Sequence, residues 1–427
     1  MADLPLGADR DHQAWHPETI AVGHGYHPAE HHGSAKPPVY LTSTFVYRDS
    51  MHAKTAHEGY IAGRAPQSGA DEGYIYARLD HPNMQMLQDR MAALDRAEAC
   101  AVFNSGMAAI STTLLSLVRP GESVVHTSPL YGGTDGLLNN LMAPAHGVKP
   151  VAIADAVDEA SITSAVDQAL AHGRLGMIWV ETPSNPLAGI ADIALIARIA
   201  RRLELQQGSR PLVVVDNTFM GPLLQNPLEQ GADLCMTSLT KYASGHSDLL
   251  GGSVSGRFAL IEPLRKMRTV MGTHLDPHGC WLLLRSLETM GLRTERACRN
   301  AAAVARFLRD HPKVARVTYA GFLPEGSAAR ATFERQCAGA GSTFVFDIKG
   351  GEVEAFRMLD ALKLLRLAVS LGGTETLICH SATTTHFSVP KARREASGVT
   401  DATIRLSVGI EHEADIIGDL AQALERI

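Results

Sequence analysis

From about residue 79 onward, runs of consecutive apolar residues alternate with stretches that are apolar on one face only. The continuous runs predict buried strands at ACAVFN (Ala99–Asn104), SVVHT (Ser123–Thr127), MIWVET (Met177–Thr182) and LVVVDNTF (Leu212–Phe219), with a further strand-like run in DLCMTSLT. Between them, GMAAISTTLLSLV, a segment over about 133–143 and IADIALIARIARRLEL carry helical periodicity. Strands that are apolar throughout and alternate with helices predict a mainly parallel sheet covered on both faces. Beyond about Leu282 one long helix is predicted through LLRSLETMGLRTERACRNAAAVARFLRDH. VARVTYA, STFVFDI, a helix over about 353–362, LRLAVSL and TIRLSVG then read as a smaller α/β unit. Residues 1 to about 75 show little periodicity apart from a short β-like run, Pro38–Tyr47, and read as an extended arm and loop. The pattern divides the chain into an arm (1–78), a large domain (79–285) and a C-terminal domain (286–427).

Composition narrows the function more than the fold. The 427 residues allow two or three domains, and 45% hydrophobic with 20% charged residues is ordinary for a globular protein. A net charge of −6 without a basic run speaks against nucleic acid or an anionic membrane surface as a partner. The N-terminal MADLPLGADRDHQ lacks the apolar stretch of a secretory signal, and no run reaches transmembrane length. Six cysteines without a CxxC pair read as free thiols, so a cytoplasmic location is expected. His24, His27, His31 and His32 crowd HGYHPAEHH. With no cysteine beside them they are read as a solvated arm, and no metal is expected.

In open α/β sheets ligands gather at the carboxyl ends of strands. Asn104-Ser105-Gly106, Glu181 to Asn185, Asp216 and Ser238 to Lys241 fall there. Neither GxGxxG nor GxxxxGK[ST] occurs, which removes the best-known phosphate loops. NSGMAA offers a different cradle, because unpaired N–H groups at a helix start favour an anion and small residues let it approach. Asp216 ends an apolar strand, where it could serve as an N-cap or face a cation. Tyr131, flanked by glycines, could stack on a ligand or fill core. Lys241 lies among Ser238, Thr240 and Tyr242, unlike a solvated lysine among charges. A desolvated lysine becomes a nucleophile toward aldehydes. A phosphate cradle, an aromatic ring, an acid for a ring nitrogen and such a lysine together describe pyridoxal 5'-phosphate.

Eight segments carry a specific resemblance: SLTKYASGHSDLLGG, ETPSNP, DNTF, YARLDHPN, NSGMAA, YGGT, SLGGTETLICHSATTTH and RLSVGIE. From about residue 36 the chain resembles the Cys/Met-metabolism, or trans-sulfuration, family of pyridoxal-phosphate enzymes, which includes cystathionine γ-synthase, cystathionine lyases and methionine γ-lyase. The resemblance implies an aspartate-aminotransferase-like (fold type I) α/β architecture. It implies that Lys241 forms the Schiff base and later moves the α-proton, that Asp216 meets the pyridine nitrogen and that Tyr131 stacks on the ring and acts as general acid. Gly106, Met107, Ser238 and Thr240 would hold the phosphate, joined by Tyr76 and Arg78 from a neighbouring subunit. Asn185 would lie near the ring hydroxyl and, with Arg405 and Ser370, bind the substrate carboxylate. It also implies a homotetramer of dimers that share active sites through the 1–78 arm.

Departures from the family pattern bear on the substrate. Cystathionine-processing γ-enzymes tend to carry a glutamate before SLGG, which would meet a distal ammonium. Val369 stands there instead, and an unpaired charge should cost about 1–3 kcal/mol or more. Methionine γ-lyases tend to share the valine but usually carry cysteine where this chain has Gly133. MHAKTAHEGYIAGRAPQSGADEGYIYARL, with His52, His57, Glu58 and Arg64, is longer than usual. It is expected near the active-site entrance or as a surface insertion. The expected reaction is γ-elimination from a methionine-like amino acid to give 2-oxobutyrate and ammonia. The alternatives are γ-replacement on an acylated homoserine and a γ-lyase for an unusual tail such as that of canavanine.

Overall fold

A computed structural model describes residues 15–63, 73–387 and 389–427. Its first sheet contains β1 (Ala99–Phe103), β2 (Ser123–His126), β3 (Lys149–Ala152), β4 (Leu175–Glu181), β5 (Leu212–Asp216), β6 (Leu234–Thr237) and β7 (Gly252–Gly256). The spatial order is β1-β7-β6-β5-β4-β2-β3, and only β7 runs antiparallel to its neighbours. Alternate residues of each strand feed opposite cores. Phe103, Val124, Trp179 and Val214 pack on one side, while Val125, Ile178, Val180, Val213 and Val215 pack on the other. Such two-sided burial is why these strands read as uninterrupted apolar runs.

The second sheet contains β8 (Val314–Thr318), β9 (Thr343–Ile348), β10 (Arg366–Leu367), β11 (Leu377–His380) and β12 (Thr403–Ser407), in the order β10-β11-β12-β9-β8. Only β10 and β11 pair in parallel. The run LRLAVSL therefore supplies two strand residues, and the rest leaves the sheet toward the large cavity described below.

Three local readings change. The long helix is two, Pro277–Leu287 and Met290–Asp310. At the break the Arg293 guanidinium donates to the freed carbonyl of Ser286 at 2.8 Å, a tertiary compensation that no local pattern reveals. The segment over about 133–143 is helical but irregular: Gly132–Gly136, a π-helical Leu137–Met142, then Ala143–His146. The first 75 residues hold the helices Pro17–Gly23 and Ser50–Ile61. Pro38–Tyr47 contributes only a single bridge between Thr44 and Tyr76. Ile20 and Ala21 join Met84, Leu87, Leu283 and Leu287 in a core, so the arm is not coreless. Among the described residues, no helix is long and apolar enough to cross a membrane.

Candidate active site

β1, β4, β5 and β6 run the same way, so their carboxyl ends share one edge of the first sheet. Parallel register sets Glu181 beside Asp216 and Asp216 beside Met236. A cavity of about 740 Å³ opens along this edge. Gly106, Met107, Tyr131, Asn185, Asp216, Ser238, Thr240, Lys241, Ser370 and Arg405 all line it. Ten of the twelve residues singled out from the sequence thus meet in one place, across both sheets.

The chain turns tightly after β6 to present Lys241. The Gly245 N–H donates to the Lys241 carbonyl at 2.8 Å, and the Thr240 hydroxyl is locked between the N–H and carbonyl of Gly251. Lys241 Nζ donates to Ser370 Oγ at 2.8 Å. Burial, and secondarily the charge of Arg405, pull the lysine down to about 8. Its neutral, nucleophilic form therefore makes up about a tenth of the population at pH 7, far more than for an ordinary lysine.

Arg405 projects from β12 and is 3% exposed. Its guanidinium donates to Asn185 Oδ1 at 3.2 Å and to the Ser370 carbonyl at 2.8 Å. Ser370 therefore serves both cations, and it does so with φ of +86°, a region that L-residues seldom adopt.

On the opposite wall the twelve-residue helix Gly106–Leu117 starts at the cavity, capped by Ser105 Oγ accepting from the Ala108 N–H at 3.1 Å. A Cβ at position 106 would lie 2.8 Å from Ser238 Oγ, so glycine is what lets these two segments close into a cradle of N–H and hydroxyl donors. Asp216 accepts from the Thr218 N–H at 3.0 Å, and burial raises its pKa. Among the described residues no ion pair includes Asp216, so this carboxylate suits an incoming cation. Tyr131 is half-exposed to the cavity, and burial, then Asp216 and Glu181, raise its phenol and keep it protonated.

Tyr76 and Arg78 do not line this cavity. Arg78 donates to the Thr269 carbonyl at 2.7 Å and lies over the Tyr76 ring, which is itself exposed. The helix Ser50–Ile61, carrying His52, His57 and Glu58, packs on Phe258–Met271 through Tyr60 and Thr269 rather than at the cavity. Arg64 lies outside the described residues. His31 stacks on Tyr26 and shares a 2.5 Å hydrogen bond with Tyr40. Among the described residues no group of three or more potential ligands could hold a metal. The sequence pointed to Glu181 only as part of a strand end, and to Thr384 and Thr385 only as part of a motif. Their place in the cavity wall depends on the fold.

A nucleophilic lysine, a half-buried carboxylate without an ion-pair partner, an exposed ring and a donor cradle at the carboxyl ends of a mainly parallel sheet define a fold type I pyridoxal-phosphate enzyme. The chain belongs to the Cys/Met metabolism PLP-dependent enzyme family, whose pattern matches residues 18–425. It is 37% identical over 415 residues to an L-methionine gamma-lyase of Pseudomonas putida, covering 95% of this chain and 96% of that one. It is 36% identical over 411 residues to a cystathionine gamma-lyase of Bacillus subtilis, covering 96% and 99%. The structure of cystathionine gamma synthase from Xanthomonas oryzae pv. oryzae in complex with aminoacrylate and cysteine superimposes with a TM-score of 0.85 at 32% identity, covering 96% and 98%. The enzyme therefore uses pyridoxal 5'-phosphate in elimination or replacement chemistry of the trans-sulfuration type.

Proposed function

We propose that this enzyme catalyses γ-elimination from an L-amino acid with an uncharged γ-substituent, methionine-like, releasing 2-oxobutyrate and ammonia. The carrying observation is the distribution of charge in the cavity. Its described lining holds two carboxylates, Asp216 and Glu181, both at the strand ends, and two cations, Lys241 and Arg405. Toward solvent the wall presents Val369, 54% exposed, and Leu250, 62% exposed. A distal ammonium or guanidinium would find no carboxylate among these residues, and at so exposed a mouth the missing pair is worth about 0.2–1 kcal/mol. That disfavours cystathionine, cysteine and the oxyguanidine tail of canavanine alike.

Lys241, Asp216, Tyr131 and the cradle of Gly106, Met107, Ser238 and Thr240 would hold pyridoxal phosphate. When bound, it supplies an aldehyde for the substrate amine and an electron-withdrawing ring that acidifies the neighbouring carbons. Arg405, already aimed by Asn185 and Ser370, binds the α-carboxylate with its remaining donors. Lys241, partly neutral and tethered to the Ser370 hydroxyl, accepts the α-proton. Tyr131, held in its protonated form, donates to the departing γ-group. The exposed Tyr76 and the neighbouring Arg78 lie outside their own cavity, which fits a phosphate contact made to a neighbouring subunit.

γ-Replacement is the second reading, favoured by the similarity to a cystathionine gamma synthase and by a cavity large enough for a second small molecule. The test is 2-oxobutyrate release from cofactor-loaded protein offered L-methionine, L-homocysteine, L-cystathionine, L-canavanine and O-acetyl- or O-succinyl-homoserine separately, with and without methanethiol. Methionine turnover without added thiol is expected. Turnover confined to an acylated homoserine, with oxoacid release suppressed by the thiol, would replace elimination by γ-replacement.

A further inference from the structure

Glu181 is the one carboxylate of the cavity wall to which the proposed reaction gives no task. It ends β4, is 4% exposed, and both of its oxygens accept from the Tyr131 N–H, at 2.8 and 3.0 Å. The Thr134 hydroxyl and the Trp179 indole N–H also face it, and neither is hydrogen-bonded to any other group; both stand beside the carboxylate without a hydrogen bond of normal geometry to it. Its own main chain is fixed too, because the Glu181 N–H donates to Thr127 Oγ1 at 2.8 Å. All of these neighbours are donors, so they favour the ionised carboxylate. Burial and the adjacent Asp216 push its pKa the other way, well above the ordinary range. Two carboxylates side by side at the end of a buried sheet, with no cation paired to either among the described residues, oppose folding on electrostatic grounds. If the site were only scaffold, a neutral amide could accept the Tyr131 N–H without that repulsion.

We propose that Glu181 is a positioning residue of the reaction, which fixes Tyr131 over the cavity through its main-chain N–H and adds a second negative charge beside Asp216 where the cofactor's ring nitrogen would lie. The first role follows from the mobility a half-exposed tyrosine would otherwise have. A Cβ at Gly133 would lie 2.6 Å from Met107 Sδ and from the Tyr131 ring, so a side chain there would have to displace one of them. Gly132 is equally closed in by the Thr385 carbonyl, at 2.9 Å from a Cβ. The turn therefore has one close-packed path, and Glu181 pins its first residue. The second role gives the buried pair a cation to face, because a protonated ring nitrogen offsets two nearby negative charges better than one. The inference rests on Tyr131 acting as the proton donor.

Two variants of the full chain loaded with pyridoxal phosphate separate the roles, with Tyr131→Phe measured alongside. Glu181→Gln keeps an oxygen for the Tyr131 N–H and removes the charge. It is expected to weaken pyridoxal phosphate about tenfold in equilibrium dialysis and to leave KM for methionine within about threefold. Glu181→Asp keeps the charge and withdraws it by one methylene. It is expected to lower kcat about tenfold or more, with KM and cofactor affinity within about threefold. Wild-type kcat and cofactor affinity in both variants would overturn the proposal. So would a uniform loss of kcat, KM and cofactor affinity with a lowered melting temperature in both, which marks a purely structural residue. If Tyr131→Phe is inactive while both Glu181 variants behave as wild type, the fault lies with this inference. If Tyr131→Phe turns over normally, the proton-donor reading of Tyr131 fails, and the first role of Glu181 fails with it.

Discussion

Replacing Arg405 with alanine removes the one guanidinium among the described residues of the cavity wall. In the free protein two of its N–H groups are spent on Asn185 and the Ser370 carbonyl, so the fork is already oriented when substrate arrives. Truncating one partner of a buried, hydrogen-bonded charge pair costs about 2–5 kcal/mol. Arg405 is nearly fully buried, but the cavity is open enough for water to replace part of the lost pairing. That places the loss near 3 kcal/mol, or a rise of about 150-fold in KM. The rise should be the same for every amino-acid substrate, since all share the carboxylate. Arg405→Lys should recover only part of the loss, because a point charge lacks the fork. The assay is steady-state 2-oxobutyrate release across substrate concentration, with the melting temperature as a control for folding. A folded Arg405→Ala variant whose KM moves less than about threefold would refute the carboxylate assignment and the charge argument built on it.

Other consequences are open to measurement. With the Lys241 amine near 8, its neutral share is about a tenth at pH 7 and about nine-tenths at pH 9. The rate at which cofactor-free protein captures pyridoxal phosphate should therefore climb through that range and level off above it, and a flat profile would contradict the assignment. Gly106→Ala forces a Cβ to 2.8 Å from Ser238 Oγ and should weaken the cofactor by about tenfold or more, read by equilibrium dialysis. Val369→Glu places a carboxylate at the half-exposed cavity mouth, where a pair is worth about 0.2–1 kcal/mol. The ratio of kcat/KM for cystathionine over methionine should rise about 1.4- to fivefold, and no rise would remove position 369 from tail selection. Asp95, fully buried with Oδ2 unpartnered, is raised by burial to about 7. Its folded form keeps a proton that the unfolded chain has released, so stability falls as pH rises from about 4 to about 7 and is level above that. Asp95→Asn should flatten that slope and raise stability at pH 8 by up to about 4 kcal/mol, and a lower melting temperature at pH 8 with an unchanged slope would count against it.

What could be read from the chain alone follows from how strongly each element depends on its own residues. β1, β2, β4 and β5 are buried on both faces, so their apolar runs are continuous; β1, β2 and β4 end within a residue or two of the predicted limits, whereas β5 stops at Asp216, three residues before the predicted Phe219. The candidate site was legible because the chemistry proposed for it constrains residue type. A lysine proposed to meet an aldehyde, an acid proposed for a ring nitrogen and a guanidinium proposed for a carboxylate leave few substitutes, and Lys241 also sits in a run of small and hydroxylic neighbours. Elements that borrow their stability were not legible. The break between Leu287 and Met290 depends on Arg293 reaching back to Ser286. The Pro17–Gly23 helix depends on Arg90, whose guanidinium donates to the carbonyls of Ala21, His24 and Leu284. The Ser50–Ile61 helix, expected at the cavity entrance or on the surface, is set against Phe258–Met271 by tertiary packing and the Tyr60–Thr269 hydrogen bond.

Residue types on the strand ends thus determined which cofactor chemistry this protein could host, because nucleophile, acid and cation are properties of side chains. Only the tertiary structure decided how those groups act on one another. Lys241 loses most of its basicity because burial and Arg405, which arrives from the other sheet, disfavour its charged form. Ser370 accepts from both cations only because the chain leaves β10 in a left-handed turn at +86°. Glu181 meets the Tyr131 N–H across 50 residues of chain. Interactions of this kind scale with distance and local dielectric, and both are set by the fold.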